Sequence, residues 1–235
     1  MIKAKRKPLE EIKDVVQGYE KVLVVGCGGC VSICLAGGQK EVDELSTEMN
    51  FIFGNEMATT RLKGITIERQ CNQTYLQELD ELVKEYDCLI SMACGAGVQY
   101  LAEQFKKTPV FPVVNTLAIG LDRGIGASEE RCRACGYCVL GYTGGICPVT
   151  RCSKQLLNGP CGGTMDSGMC EIAANSPETE DIDCAWFLIH ERLKEQDRLD
   201  NIMKIQTIMP WRNKTLPLIV QDKYKERYYK EEGEE

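Results

Sequence analysis

Cysteine is the residue type through which this chain could do chemistry, because 14 of its 235 residues are cysteines. Three of them stand two residues apart at Cys132, Cys135 and Cys138, a spacing that can wrap one iron–sulfur cubane. The stretch 132–184 holds eight in all, the number that two four-ligand sites need: Cys132, Cys135, Cys138, Cys147, Cys152, Cys161, Cys170 and Cys184. We therefore expect at least one [4Fe-4S] cluster in this stretch.

The spacing within this stretch does not identify a ferredoxin. Cys147 is followed by Pro148, which is a ferredoxin habit, but the gap from Cys138 to Cys147 is much longer than in the bacterial ferredoxin run. Zinc is the alternative metal, although structural zinc sites are typically built from two separated CxxC pairs and this stretch has one triplet. Zinc at one four-cysteine site stays open, and the spacing does not assign the later cysteines to particular clusters.

A second group of cysteines, Cys27, Cys30 and Cys34, follows a predicted strand within a glycine-rich loop. The loop fails as a dinucleotide-binding fingerprint because Val31 stands where the third glycine is needed. A thioredoxin-type redox pair of Cys27 and Cys30 is the alternative, and the third cysteine argues against it. Glycines allow a tight turn that brings several thiols around one point, so we predict a metal loop.

The fourth ligand of this loop is expected at the end of another strand, because the carboxyl ends of parallel strands gather ligands at one edge. Cys94 is preferred, since the glycines beside it permit close approach, and Cys71 is the alternative. Cys88 begins a predicted strand. It should therefore lie at the opposite edge as a buried core cysteine.

Strand-like and helix-like stretches alternate over the first 120 residues, which predicts a parallel α/β sheet. The expected strands are 21–26, 65–70, 88–93 and 110–114, and the expected helices are 38–48, 74–86 and 96–105. Periodicity then gives way to glycine and cysteine, and a helix is expected over 185–204. The predicted fold is therefore α/β: a Rossmann-like domain (1–120), a cysteine-rich, metal-stabilised irregular/α domain (121–184), and a C-terminal helix with a charged tail (185–235).

Charge and hydropathy limit the class of protein. The net charge of −7 disfavours nucleic acid, whose phosphates need a large basic face. No apolar run approaches the length of a membrane span, and no apolar stretch follows the basic N-terminus as a secretory signal requires. We therefore expect a cytoplasmic chain with reduced cysteines, and not a disulfide scaffold.

In combination, several stretches resemble the small, MetV-type iron–sulfur subunit of bacterial methylenetetrahydrofolate reductases, whose module is the methylenetetrahydrofolate reductase C-terminal domain family. No single stretch is specific, but together they span roughly residues 20–195, most of the chain, in the expected order. They are GCGGCVSICLAGGQKEV (26–42), ACGAGVQ (93–99), CGYC (135–138), CP (147–148), NGPCGG (158–163), GMCE (168–171) and CAW (184–186).

The resemblance implies a partner, a flavin-containing TIM-barrel catalytic subunit of the MetF type that binds the folate. The complex reduces methylenetetrahydrofolate to methyltetrahydrofolate in the acetyl-CoA pathway, with further electron-input subunits in some relatives. The present chain would hold two or more [4Fe-4S] clusters and relay electrons. Nothing in its sequence predicts a pterin site or hydride transfer, so we expect a non-catalytic subunit.

Two other functions remain as alternatives. One is a zinc-stapled scaffold subunit without redox chemistry, which metal analysis would distinguish from an iron–sulfur protein. The other is a stand-alone oxidoreductase with its own flavin or nucleotide site, which the failed glycine fingerprint disfavours.

Overall fold

The computed structural model describes residues 1–175, 182–208 and 219–228. The chain divides into two compact units, Met1–Arg131 and Cys132–Glu235. The boundary expected at 120/121 falls inside a strand that pairs with the N-terminus, so the first unit is longer than the predicted first domain. Of the predicted charged tail, 229–235 lie outside the described residues.

Strands in the described residues form two sheets and lie in the first unit, except that the last strand ends on Cys132, the first residue of the second unit. A four-stranded parallel sheet has the order β3-β2-β4-β5, and a three-stranded sheet has the order β1-β6-β7, in which β1 and β6 are antiparallel. The strands are β1 (Ile2–Arg6), β2 (Lys21–Cys27), β3 (Arg61–Ile67), β4 (Cys88–Ser91), β5 (Val110–Pro112), β6 (Val114–Gly124) and β7 (Ala127–Cys132).

Helices alternate with the parallel strands, and shorter ones continue into the second unit. The α-helices are α1 (Leu9–Val16), α2 (Cys30–Ile33), α3 (Gln39–Asn55), α4 (Gln73–Leu76), α5 (Gly95–Gln104), α6 (Pro148–Arg151), α7 (Ala185–Glu195) and α8 (Lys225–Tyr228). Short 3-10 helices are Gln77–Leu79, Leu82–Glu85, Glu171–Asn175, Leu199–Met203 and Asp222–Tyr224. No helix in the described ranges is long and apolar enough to cross a membrane.

The central strand β2 separates the two main cores of the first unit, because successive side chains of a strand point to opposite faces. Val22 and Val24 pack in the core that contains the apolar stripe of α3. Leu23 and Val25 pack in the other core, together with Leu101 of α5. Burial on both faces explains why β2 is an uninterrupted apolar run.

The second unit has one small core and little regular structure among its described residues. Trp186, Ile189 and Leu193 of α7 are buried there beside two cysteines. The Trp186 indole N–H donates to the Leu156 carbonyl at 3.1 Å, and its ring packs against Gly159. The loops therefore depend on contacts with one helix.

The predicted mixed α/β class is confirmed, with a parallel four-stranded sheet and an antiparallel sheet, while several element bounds differ. The expected strand 65–70 is β3, which begins at Arg61 and ends at Ile67. The expected helix 74–86 is broken into α4 and two 3-10 turns, and the last expected helix stops at Glu195. Strands β1, β6 and β7 were not predicted, because the exposed residues on them leave no regular alternation of apolar and polar side chains.

Candidate functional site

The carboxyl edge of the parallel sheet gathers cysteines from three strands. Cys27 is the last residue of β2, Cys71 follows β3, and Cys94 precedes α5 after β4. Cys27 is buried and packs in a small cluster with Val31 and Ala93, against which Cys94 also lies. The fold thus brings both candidate fourth ligands, Cys94 and Cys71, to the edge where Cys27 lies.

Electrostatics link these thiols. Burial raises the pKa of the Cys27 thiol, while backbone N–H donors of Gln70 and Gly29 act in the opposite direction. Charge on Cys71 and Cys94 raises the pKa of Cys27 further, so these two thiols lie near enough to affect its ionisation. Because the pKa of Cys27 is raised overall, the two backbone N–H groups do not by themselves stabilise its thiolate. A bound cation would supply the additional stabilisation.

The loop after β2 separates its three cysteines. Cys27 points inward, whereas Cys30 begins the short helix α2 and is exposed. Cys34 is half-buried, and its thiol faces the carbonyl oxygens of Val31 at 3.5 Å and Ala4 at 3.8 Å. The loop therefore brings Cys34, but not Cys30, into the apolar cluster that holds Cys27.

Close packing between this loop and β4 keeps the loop in place. The N–H of Cys27 donates to the carbonyl of Gly37 at 2.8 Å. A Cβ on Gly37 would overlap the carbonyl oxygen of Met92, so only glycine allows the approach. The return of the loop is thereby fixed against the strand that leads to Cys94.

Cys88 lies at the opposite end of the sheet, where the sequence placed it. It is the first residue of β4 and has no exposed surface. Burial, with a smaller effect from Asp87, raises the pKa of its thiol to about 12. Cys88 is therefore a protonated core residue at neutral pH.

Sequence reasoning missed one polar residue at the carboxyl edge, Gln70. Its side chain is fully buried and hydrogen-bonds to the end of β2 and to Ser91, at the end of β4. Gln70 is the last residue of the strand expected over 65–70. Its polarity at that position was the one signal in the sequence, but polarity alone does not show that a side chain is buried.

The cysteine triplet of the second unit lies on an exposed, sharply turning segment. Cys132 and Cys138 are exposed, and Cys135 is half-buried. Ala134 has a φ of 48°, and its N–H donates to the Cys132 sulfur at 3.3 Å. Gly136 also has a positive φ, of 85°, so the chain turns on both sides of Cys135.

The later cysteines divide into core and surface residues. Cys152, Cys170 and Cys184 belong to or pack against the core around α7, where the Thr164 hydroxyl lies 3.0 Å from the Cys184 sulfur. The Cys147 side chain is half-buried at the start of α6.

Cys161 is exposed and lies beside a charged pair. Its sulfur accepts from the Gly163 N–H at 3.4 Å, and the Lys154 ammonium lies 3.7 Å from it. Lys154 is also paired with Glu171, which raises the pKa of the lysine. A positive charge therefore stands next to the Cys161 thiol.

No group of three or more histidine, cysteine, aspartate or glutamate side chains within 1–175, 182–208 and 219–228 is arranged to hold a metal ion. The donor chemistry still fits an iron–sulfur or zinc centre, since thiols converge on one sheet edge and glycines allow the backbone to approach. Both groups of cysteines are therefore candidate ligands, because thiols are suitable donors and because the chain places several of them close together.

A groove of about 1230 Å³ opens beside Cys34 in the first unit. Its walls include the exposed side chains of Ile33, Leu35 and Leu117. Lys5 adds an exposed ammonium to the same groove. The groove combines apolar and basic surface next to the cysteine loop.

Comparison with known proteins relates part of the chain to a known family. No curated protein and no solved structure matches the chain. Residues 111–212 match the family model described as Methylene-tetrahydrofolate reductase C terminal. The match includes all eight cysteines of 132–184 and leaves the loop at Cys27 outside. Residues 111–212 are therefore similar to the methylene-tetrahydrofolate reductase C-terminal domain family, the family that the resemblance predicted.

Proposed function

We propose that this chain is the iron–sulfur, MetV-type subunit of a methylenetetrahydrofolate reductase complex. It would relay electrons to or from a flavin-containing MetF-type catalytic subunit and would not itself bind the folate. One observation carries the proposal: the family match covers the whole set of eight cysteines, including the triplet at Cys132, Cys135 and Cys138. A cytoplasmic location is part of the proposal, because these thiols must stay reduced.

Two groups of thiols would hold the metal centres. One comprises Cys27, Cys34 and Cys94 at the sheet edge, with Cys71 or Cys30 completing it, and the other is drawn from the eight cysteines of 132–184. When bound, an iron–sulfur cluster supplies a site that accepts and releases single electrons. The parallel order β3-β2-β4-β5, with thiols at its carboxyl edge, supports the Rossmann-like interpretation of this domain.

The residues around Cys27 would tune the redox potential of such a centre. Backbone N–H groups of Gln70 and Gly29 lower the pKa of its thiol, and hydrogen bonds to ligand sulfurs are among the features that set cluster potentials. The apolar neighbours Val31 and Ala93 keep water from the buried side of the thiol. This surrounding is suited to tuning the redox potential of a bound cluster.

The groove beside Cys34 is the proposed docking surface for the flavin-containing subunit. Exposed apolar side chains at Ile33, Leu35 and Leu117 adjoin the cysteine loop, so a partner bound there would stand close to the thiols. The ammonium of Lys5 favours an acidic rim on the partner. Short distances between redox centres would follow from this placement.

Anaerobic purification tests the proposal. We expect iron and inorganic sulfide in the chain, absorption near about 400 nm, and a cluster-type EPR signal after reduction. The variant Cys135→Ala should lose the iron of one centre and loosen the second unit, because ligands there supplement a small core. A folded, iron-free wild-type chain would refute the proposal.

A zinc-stapled scaffold is the second candidate function. The small core and sparse regular structure of the second unit favour it, since a structural metal stabilises such a region without redox chemistry. Metal analysis of the same preparation decides: zinc without iron, in a colourless chain, supports the scaffold.

A further inference from the structure

A single buried amide joins the strand ends at the carboxyl edge of the parallel sheet. The Gln70 Nε2 donates to the carbonyl oxygens of Val25 at 2.7 Å and Gly26 at 3.1 Å, near the end of β2. Its Oε1 accepts a hydrogen bond of 2.6 Å from the Ser91 hydroxyl, at the end of β4. The residue itself stands in the segment after β3, so it connects three consecutive positions of the sheet order.

Each of these connected ends leads directly to a cysteine. Gly26 precedes Cys27, Gln70 precedes Cys71, and Ser91 is three residues before Cys94. The backbone N–H of Gln70 also lowers the pKa of the Cys27 thiol, so the two groups lie close to each other. Relative movement of any of these strand ends would therefore move one thiol away from the other two.

We propose that Gln70 is a positioning residue that holds Cys27, Cys71 and Cys94 at one edge through its hydrogen bonds to β2 and β4. The proposal rests on the proposed function for what the thiols bind. The placement of the thiols is a property of the chain without metal, and it can be tested alone. Because Gln70 is 0% exposed, replacing it with alanine leaves its buried partners without their hydrogen bonds.

Asn50 provides a matched control for a lost amide. Its Nδ2 donates to the Leu62 carbonyl at 2.9 Å, and its Oδ1 accepts from the Leu62 N–H at 2.8 Å. It thus makes the same kind of amide–backbone bridge near the start of β3, away from the cysteines. Cys88 is an internal control, because it reports opening at the other end of β4.

The first experiment measures alkylation of the reduced, metal-free, folded chain by N-ethylmaleimide, with rates at each cysteine read by mass spectrometry. In Gln70→Ala we expect the rate at Cys27 to rise about tenfold while the rate at Cys88 changes less than about twofold. Asn50→Ala should change the ratio of the two rates little. An equal rise at Cys27 and Cys88 in Gln70→Ala, or none at Cys27, would overturn the proposal.

The second experiment reconstitutes the chain anaerobically with ferrous iron and sulfide. Gln70→Ala should bind less iron per chain than wild type and show an altered EPR signal. Ser91→Ala, which keeps the bonds from Gln70 to β2, should lose less iron. If wild type binds iron and Gln70→Ala matches it in both measurements, Gln70 does not position the site. If wild type binds no iron, the proposed function fails, and the alkylation ratio alone decides on Gln70.

Discussion

At the scale of single residues, place in the sheet and burial divide the cysteines into different chemical types. Cys27 and Cys88 are both buried in the same parallel sheet, but they stand at opposite ends of it. Backbone N–H groups lower the pKa of Cys27 and nearby thiols raise it, whereas the pKa of Cys88 is raised by burial and by Asp87. Cys27 is therefore suited to metal binding and Cys88 to packing.

Replacing Cys88 should leave the metal content of the chain unchanged. Cys88→Ala removes a buried sulfur from the core and should lower the free energy of unfolding by about 1 kcal/mol. Iron per chain after anaerobic reconstitution and a urea titration measure the two effects. Loss of a cluster in this variant would show that Cys88 is a ligand and that the strand-edge argument is wrong.

The Cys88 thiol also predicts a pH dependence of stability. Its pKa in the folded chain is about 12, above the ordinary value of 9.0. Between these values the unfolded chain has released a proton that the folded chain keeps, so the free energy of unfolding falls as pH rises through the window. Below pH 9.0 this contribution is fully present.

Urea titrations of the metal-free chain across that window provide the measurement. Cys88→Ala lacks this contribution and should lose less stability than wild type as pH rises. If the free energies of unfolding of wild type and Cys88→Ala fall equally as pH rises, the assignment of a protonated Cys88 thiol is contradicted.

At the scale of elements, the site depends on how closely a loop can approach a strand. The loop from Cys27 returns at Gly37 against the carbonyl of Met92, and α3 begins at Gln39 immediately afterwards. The Glu41 carboxylate accepts from the Gly38 N–H at 2.9 Å, which stabilises the first turn of α3. The helix start and the cysteine loop are thus one local structure.

Gly37→Ala should be strongly destabilising, by about 2 kcal/mol or more, because its Cβ would overlap backbone and not a movable side chain. Gly54→Ala is the matched control, since nothing lies within 4 Å of its added Cβ in α3. The control should gain about 0.5–1 kcal/mol from the reduced entropy of the unfolded chain. Urea midpoints measure both, and equal midpoints for the two variants would contradict the packing argument.

At the scale of the whole molecule, the two units differ in what holds them together. The first unit has two cores on the two faces of β2, and they include the long helix α3. In its described residues, the second unit has one small core, around α7. A bound metal should therefore contribute a larger share of the stability of the second unit.

Removing iron should accordingly loosen the second unit and leave the sheet of the first intact. Hydrogen exchange of the reconstituted and the metal-free chain, followed by mass spectrometry, compares them. We expect faster exchange in α6 and α7 of the metal-free chain and unchanged exchange in β2 and α3. Equal protection of α7 in both forms would show that metal does not stabilise this unit.

Docking of the flavin-containing subunit in the groove beside Cys34 implies that a substitution in the groove should weaken assembly and leave the fold unchanged. Leu117→Asp places a charge in the exposed apolar wall and should reduce co-purification of the flavin-containing subunit about tenfold. Met57→Asp, at a site that is 94% exposed and outside the groove, is the control. Unchanged assembly in Leu117→Asp would show that the flavin-containing subunit does not dock in this groove.

Sequence patterns were sufficient where a local rule applies. The apolar run of β2 and the alternation of strands and helices predicted the parallel sheet, because burial on two faces demands uninterrupted apolar residues. The rule that parallel strands end at one edge placed Cys27, Cys71 and Cys94 together and Cys88 apart. The order of short motifs also predicted the family that residues 111–212 match.

Long-range contacts decided the rest, because they join residues whose local sequence says nothing about each other. The sequence alone could not pair β1 with β6, whose partners stand more than 100 residues apart. Nor could it show that Gln70 is buried and bonded to two other strands, since polarity by itself predicts exposure. Local composition determined which residues could bind metal, whereas tertiary packing determined which of them meet.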